Sequence, residues 1–149
     1  MVKKILLAWS LLLVSAVSYA AQPVAGTYEV NGKNAKLNYA FAKKGTFLDK
    51  PVTVLVLSEK DPSKAGDFNV DAGDLGAAIE LTLSEQDGAF EIENSVFHHA
   101  AFPGASGRYL VSAEEMQAAN REISGHLVSG TFAEAVQMKV DLRFHAKRP

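Results

Sequence analysis

The most regular pattern in the chain lies near its C-terminus. There Val136, Met138, Val140, Leu142 and Phe144 alternate with Gln137, Lys139, Asp141, Arg143 and His145. Successive side chains of a strand point to opposite faces, so this period of two predicts a long strand from Val136 to Ala146 with one apolar and one wet side. A helix would need apolar residues three and four apart. The rest of the chain must supply the surface that buries those five apolar side chains.

Upstream, Gly26 to Val30 reads as a short strand. Asn31-Gly32 suits the positive φ of a tight type I′ turn, and Leu37, Tyr39 and Phe41 alternate with polar or small residues as the returning strand. Lys43-Lys44-Gly45 ends that run. Val52 to Leu57 is apolar on both parities except at Thr53, which predicts a central strand buried on both faces. Ser58 to Asp74 is polar, holds Pro62, Gly66 and Gly73, and reads as a loop with one helical turn near Asp74 to Ala78. Ile79, Leu81 and Leu83 then resume alternation. Asp87-Gly88 marks a second hairpin, after which Phe90 and Ile92 face inward. The apolar parity slips before Phe97, which a bulge near Asn94 or the end of the strand would account for.

His99 to Gly107 contains Pro103 and Gly104 and reads as a loop, followed by a strand over Gly107 to Val111. Ser112 with Glu115 matches a capping box, and the Ala- and Glu-rich stretch to Asn120 favours a short helix. The alternative is one strand running from Tyr109 through Met116 to a turn at Asn120. Ile123, Gly125 and Leu127 share one parity of the next strand, which turns back near Phe132-Ala133 to meet the C-terminal strand. Seven or eight short strands without strand–helix alternation make the chain mainly β. The expected architecture is an antiparallel sandwich or barrel with at most one or two short helices.

The first twenty residues read as an export leader. Lys3 and Lys4 form a basic start, Ile5 to Val17 is mostly apolar, and Ser18-Tyr19-Ala20 is a small-x-small cleavage site. The apolar run falls short of the about 20 residues a membrane span requires. Residues 21–149 then form a single β domain, released into the periplasm or beyond, with no membrane insertion after cleavage.

Composition narrows the chemistry. The formal net charge is −2, and losing Lys3 and Lys4 makes the mature chain more acidic. No basic stripe is present, so nucleic acid is not an expected partner. There is no Cys, which removes disulfides, N-terminal lipidation through Cys and thiolate ligands. His and carboxylates remain as metal ligands. The four histidines are His98, His99, His126 and His145. With a turn near Phe132, His126 pairs with Lys139 or Asp141, and His145 lies roughly 13–20 Å further along at about 3.3 Å per residue. His98 and His99 can share an ion only if the strand has ended there. Asp67 to Asp71 has the alternating oxygens of a calcium loop, but Ala72 stands where the turn wants Gly and Ala78 where a bidentate Glu belongs.

No catalytic signature is present: no Gly-x-Ser-x-Gly elbow, no His-Glu-x-x-His, no Gly-rich phosphate loop. Ser106 in a flexible loop near His98 and His99, and Glu91 with Glu93 on one strand face, are the nearest approaches to catalytic groupings. The expected binding residues are Phe97, His98, His99, Phe102 and Arg108, where aromatics and Arg surround the two histidines. No cofactor is expected.

The leader, the Ile123-Ser124-Gly125-His126-Leu127 strand and the closing Val140-Asp141-Leu142-Arg143-Phe144 strand together resemble small exported bacterial β-rich domains that carry no assigned activity. The resemblance implies a fold and transfers no functional residue. The expected function is a non-enzymatic binding or structural module of the bacterial cell envelope, acting on an unidentified protein or small ligand. The alternative is a periplasmic metal-binding protein using His98 and His99.

Overall fold

The computed structural model describes residues 22–149. The expected leader, residues 1–20, lies outside the described residues. Ten strands follow in order: β1 Val24–Val30, β2 Lys33–Ala35, β3 Tyr39–Phe47, β4 Lys50–Ser58, β5 Ala78–Gln86, β6 Ala89–His99, β7 Phe102–Ser106, β8 Val111–Ala119, β9 Glu122–Ser129 and β10 Met138–Lys147. They build two five-stranded antiparallel sheets, ordered β2-β1-β10-β9-β8 and β3-β4-β5-β6-β7. The architecture is therefore an open sandwich and not a closed barrel. No helix among the described residues is long and apolar enough to cross a membrane.

The C-terminal strand lies at the centre of the first sheet. Met138, Val140, Leu142, Phe144 and Ala146 of β10 are buried, while Lys139, Asp141, Arg143 and Lys147 are exposed. Val136 falls just outside it, in a 3-10 turn that ends at Gln137 with a left-handed φ of 50°. Facing these residues, Leu55, Leu57, Ile79, Leu81, Leu83 and Phe97 line the inner side of the second sheet in one continuous core. Burying each such side chain contributes roughly 1.5–3 kcal/mol.

β4 is buried on both faces, as its apolar run requires, because the connection between β4 and β5 folds back over the outer side of its sheet. Val70 and Leu75 from that connection pack on Val56 and Ala78, with Phe68, Val54 and Val96 beside them. This flap contains a 3-10 turn at Pro62–Lys64 capped by the Asp61 side chain. The helical turn expected near Asp74 to Ala78 is absent; Ala78 already pairs with Ser58 and His98.

The hairpin at Asp87-Gly88 and the bulge both form. Thr82 pairs with Asn94 and Leu83 with Ile92, so Glu93 is the extra residue. The slip moves burial from Ile92 to Ser95, Phe97 and His99.

Elsewhere the chain departs from the sequence reading. Among the described residues the strand count is ten and not seven or eight, because short edge strands carry weak patterns. Asn31-Gly32 does turn, with φ of 51° and 76°, but only to the three-residue β2. Leu37 then crosses the core, and Tyr39 begins β3 in the opposite sheet. Lys43, Lys44 and Gly45 do not end that strand; the turn comes at Leu48-Asp49, both at positive φ. Lysines on an edge strand discourage pairing with another chain and are at home there. Residues 102–106 form β7 and not a loop, since Pro103 is tolerated on an edge. Residues 107–110 carry the chain between the sheets and form no strand.

The helix expected over Ser112–Asn120 is instead β8. Glu114 pairs with His126 and Gln117 with Ser124, so Glu115 and Met116 stand opposite Gly125 alone. Glu115 takes a φ of 51°, and Met116 turns inward over the bare backbone of Gly125. The break in alternation between Ala113 and Met116 is the signature of this bulge, and strand pairing overrides the capping-box and Ala- and Glu-rich composition that favoured a helix. The connection back to β10 is also longer than expected and occupies residues 130–137. His126 therefore pairs with Arg143, and not with Lys139 or Asp141.

Candidate functional site

β6 remains a strand through His99, so His98 and His99 point to opposite faces. His99 faces the core and is 3% exposed. Its ring meets Tyr28 edge-on, with centroids 5.2 Å apart at 89°. The Tyr28 hydroxyl donates to the His98 carbonyl at 3.1 Å. Burial pushes the Tyr28 phenol well above its ordinary value.

The Ala101 backbone N–H donates to His99 Nδ1 at 3.0 Å. An accepting Nδ1 places the neutral ring's proton on Nε2. That second nitrogen is buried and, among the described residues, has no partner at normal hydrogen-bond geometry; the Lys33 backbone of β2 makes only a loose approach to the ring. Desolvation holds the His99 pKa below the usual histidine value; the Lys33 backbone acts in the opposite sense, and the His98 and Lys33 charges add to the depression. A buried donor left unmatched carries a desolvation cost of about 1–3 kcal/mol, which makes it the unusual polar group of this core.

His98 faces outward against the flap. Its Nδ1 lies 3.1 Å from the Asp71 carbonyl, to which it donates, and its ring covers Gly73. Gly73 sits at φ +80°, where an added Cβ would strike that ring. Phe97 is a core residue, 1% exposed. Phe102 pairs with His99 across β6 and β7 and is 39% exposed. Arg108 lies away from this group, in an ion pair with Glu91 and 6.0 Å from the Tyr109 ring. The five expected binding residues therefore do not converge on one point.

A cleft of about 440 Å³ opens instead between β2, the following crossover and the end of β6. Lys33, Lys36, Asn38, Glu59, His98 and His99 are among its walls. Glu59 is held there by accepting the Ala77 N–H at 3.1 Å. Among the described residues neither Lys33 nor Lys36 forms an ion pair. Sequence reasoning missed both lysines because they lie more than sixty positions from His99, on a segment whose only signal was the Asn31-Gly32 turn.

The other candidates resolve into surface pairings. His126 places Nε2 2.7 Å from Asp141 and Nδ1 3.5 Å from Glu114. His145, two positions beyond Arg143, is its diagonal neighbour on that face, about 7–8 Å away and not 13–20 Å. Asp67 to Asp71 forms no oxygen cage: Asn69 and Asp74 satisfy backbone amides within the flap. Glu93 accepts the Ser84 hydroxyl at 2.6 Å. Ser106 lies on β7 opposite Val96. Among the described residues no group of three or more His, Asp or Glu could hold a metal ion. Comparison with protein-family models, curated proteins and solved structures finds no match to this chain.

Proposed function

We propose that this protein is an exported, non-enzymatic binding module of the bacterial cell envelope, and that its ligand enters the cleft between β2 and the end of β6. One observation carries the reading: a buried imidazole N–H without an acceptor at normal hydrogen-bond geometry stands in the wall of a cleft that also holds two lysines unpaired among the described residues. Native proteins seldom leave a buried donor unmatched, and functional sites are where the exceptions gather. Export rests on the basic, apolar and small-x-small order of residues 3–20.

A fragment screen followed by amide NMR tests the site. The reading requires that hits move the resonances of Lys33, His98, His99 and Ala100 together. Hits that cluster elsewhere, or none at all, would overturn it. Fractionation of expressing cells tests export, which requires a product beginning near Ala21 outside the cytoplasm; an uncleaved cytoplasmic chain would refute that part.

A further inference from the structure

We infer that the occupant of this cleft is a small oxyanion, a carboxylate or phosphate, received by the His99 Nε2–H and by the ammonium groups of Lys33 and Lys36. The inference rests on the cleft being the ligand site, as proposed above, and names the chemistry of what binds there.

The polar groups of the cleft are unevenly matched. His99 Nε2 carries a proton and lacks an acceptor at normal hydrogen-bond geometry, with only the Lys33 backbone in loose approach. Lys33 pairs in register with Val30, whose side chain points into the core, so Lys33 projects from the inner face of the first sheet toward the mouth of the sandwich. Lys36 follows on the crossover beside it. Glu59 is the carboxylate of the cleft, and the Ala77 amide engages its Oε2. Among the described residues the two ammonium groups thus stand without ion-pair partners, and the imidazole N–H has only the loose approach of the Lys33 backbone. A cation would be repelled by both lysines and would leave the imidazole proton unmatched. An uncharged ligand would leave the lysines unpaired. An oxyanion supplies both the negative charge and the acceptors, and charge-assisted hydrogen bonds of this kind are the stronger ones. The volume suits a small molecule, near the lower end of the roughly 300–1,000 Å³ range of ligand pockets.

Access to Nε2 requires movement, and the covering element is suited to move. β2 is three residues long, pairs only with β1, and forms the edge of its sheet. The Asn31 side chain ties the preceding turn to the Ala101 carbonyl at 3.3 Å. Ligand entry on this proposal requires an outward shift of β2 that uncovers the imidazole edge while β1 stays in place.

The test is an NMR titration of the 15N-labelled protein, reading the His99 ring nitrogens and the cleft amides, with acetate, succinate and inorganic phosphate as probes. Acetamide and methylammonium serve as neutral and cationic counterparts. At least one anion should bind saturably, shift His99 Nε2, and bind at least tenfold more tightly than acetamide. A Lys33→Gln, Lys36→Gln double variant should weaken that binding at least tenfold, while Lys44→Gln on β3 leaves it unchanged. Both lysines are exposed, so these variants keep the fold where His99→Gln could disturb it. The succinate and phosphate arms distinguish a carboxylate from a phosphate ligand, and tight binding of either supports the inference. Acetamide or methylammonium shifting the cleft as strongly as the anions would overturn the oxyanion assignment and leave the cleft as a binding site. Anion binding indifferent to the lysine variants would also overturn it. Silence of the cleft toward every probe would bring down both readings.

Discussion

Tyr28 and His99 meet edge-to-face across the sandwich, 5.2 Å between ring centroids, although seventy-one positions separate them in the chain. Tyr28 comes from the first sheet and His99 from the second, and the Tyr28 hydroxyl reaches the His98 carbonyl. The pair joins the two layers at the end where the cleft opens. Tyr28→Phe removes the hydrogen bond and keeps the ring, so it should lower stability by about 1 kcal/mol. Tyr28→Ala should cost about 3–5 kcal/mol, in the range of deleted core aromatics. Urea unfolding measures both; equal losses in the two variants would mean that the ring packing contributes nothing.

Stability should depend on pH through His99. Burial is the leading cause of its depressed pKa. The unfolded chain takes up a proton near the ordinary histidine value of about 6.5 that the folded chain still refuses. The unfolded state therefore binds more protons below that pH, so the His99 contribution is complete above 6.5 and is lost as pH falls toward the depressed folded value. The slope for one proton is at most about 1.4 kcal/mol per pH unit. Urea midpoints at pH 7 and pH 5 should differ more in the native chain than in His99→Gln. An identical difference in both chains would refute the assignment.

Glu80 should act with the opposite sign. Burial raises its carboxyl pKa, with the nearby Lys43 charge opposing. It stands on β5 between Val56 and Val96, beside the apolar cluster that the flap covers. The folded state favours the protonated form, so the protonated group's advantage is present below the ordinary carboxylate value and disappears as pH rises through the folded pKa. Glu80→Gln keeps the shape without the charge. It should raise Tm at neutral pH and leave it unchanged at pH 3; a lower Tm at neutral pH would show that Lys43 outweighs desolvation.

The central strand provides a contrast between its two faces. Leu142 is 2% exposed in the core, so Leu142→Ala should cost about 2–5 kcal/mol. Lys147→Ala, five positions further along and on the exposed face of the same strand, should stay within about 0.5 kcal/mol. Thermal and urea unfolding would sink the two-faced strand if both changes had similar effects.

The flap should loosen when its latch is cut. His98→Ala removes the donor to the Asp71 carbonyl and the ring over Gly73. Hydrogen exchange at the Gly73 and Asp74 amides, which bond within the flap, should quicken at least severalfold while the β4–β5 amides stay protected. Uniform exchange across both segments would show that the flap is held by Val70 and Leu75 alone.

The sequence by itself determined the elements whose neighbours impose a clean period of two. β10, β5 and β9 were legible because alternate residues are buried along their length, and β4 because its continuous apolar run marks a strand covered on both faces. The bulge at Glu93 was legible for the same reason, as a break in that parity. β8 was not, because its capping-box pattern and Ala- and Glu-rich composition favour a helix locally, and only pairing with β9 through the bulge over Gly125 makes it a strand. The short edge strands β2 and β7 owe their existence to the strands beside them. His98 and His99 could be singled out as residues, but their divergence, the orphaned ring nitrogen and the company of Lys33 and Lys36 arise when the two sheets close on one another. Periodicity is a local property of the chain, whereas a cleft between layers depends on register and crossover, which the distant pairing of strands decides.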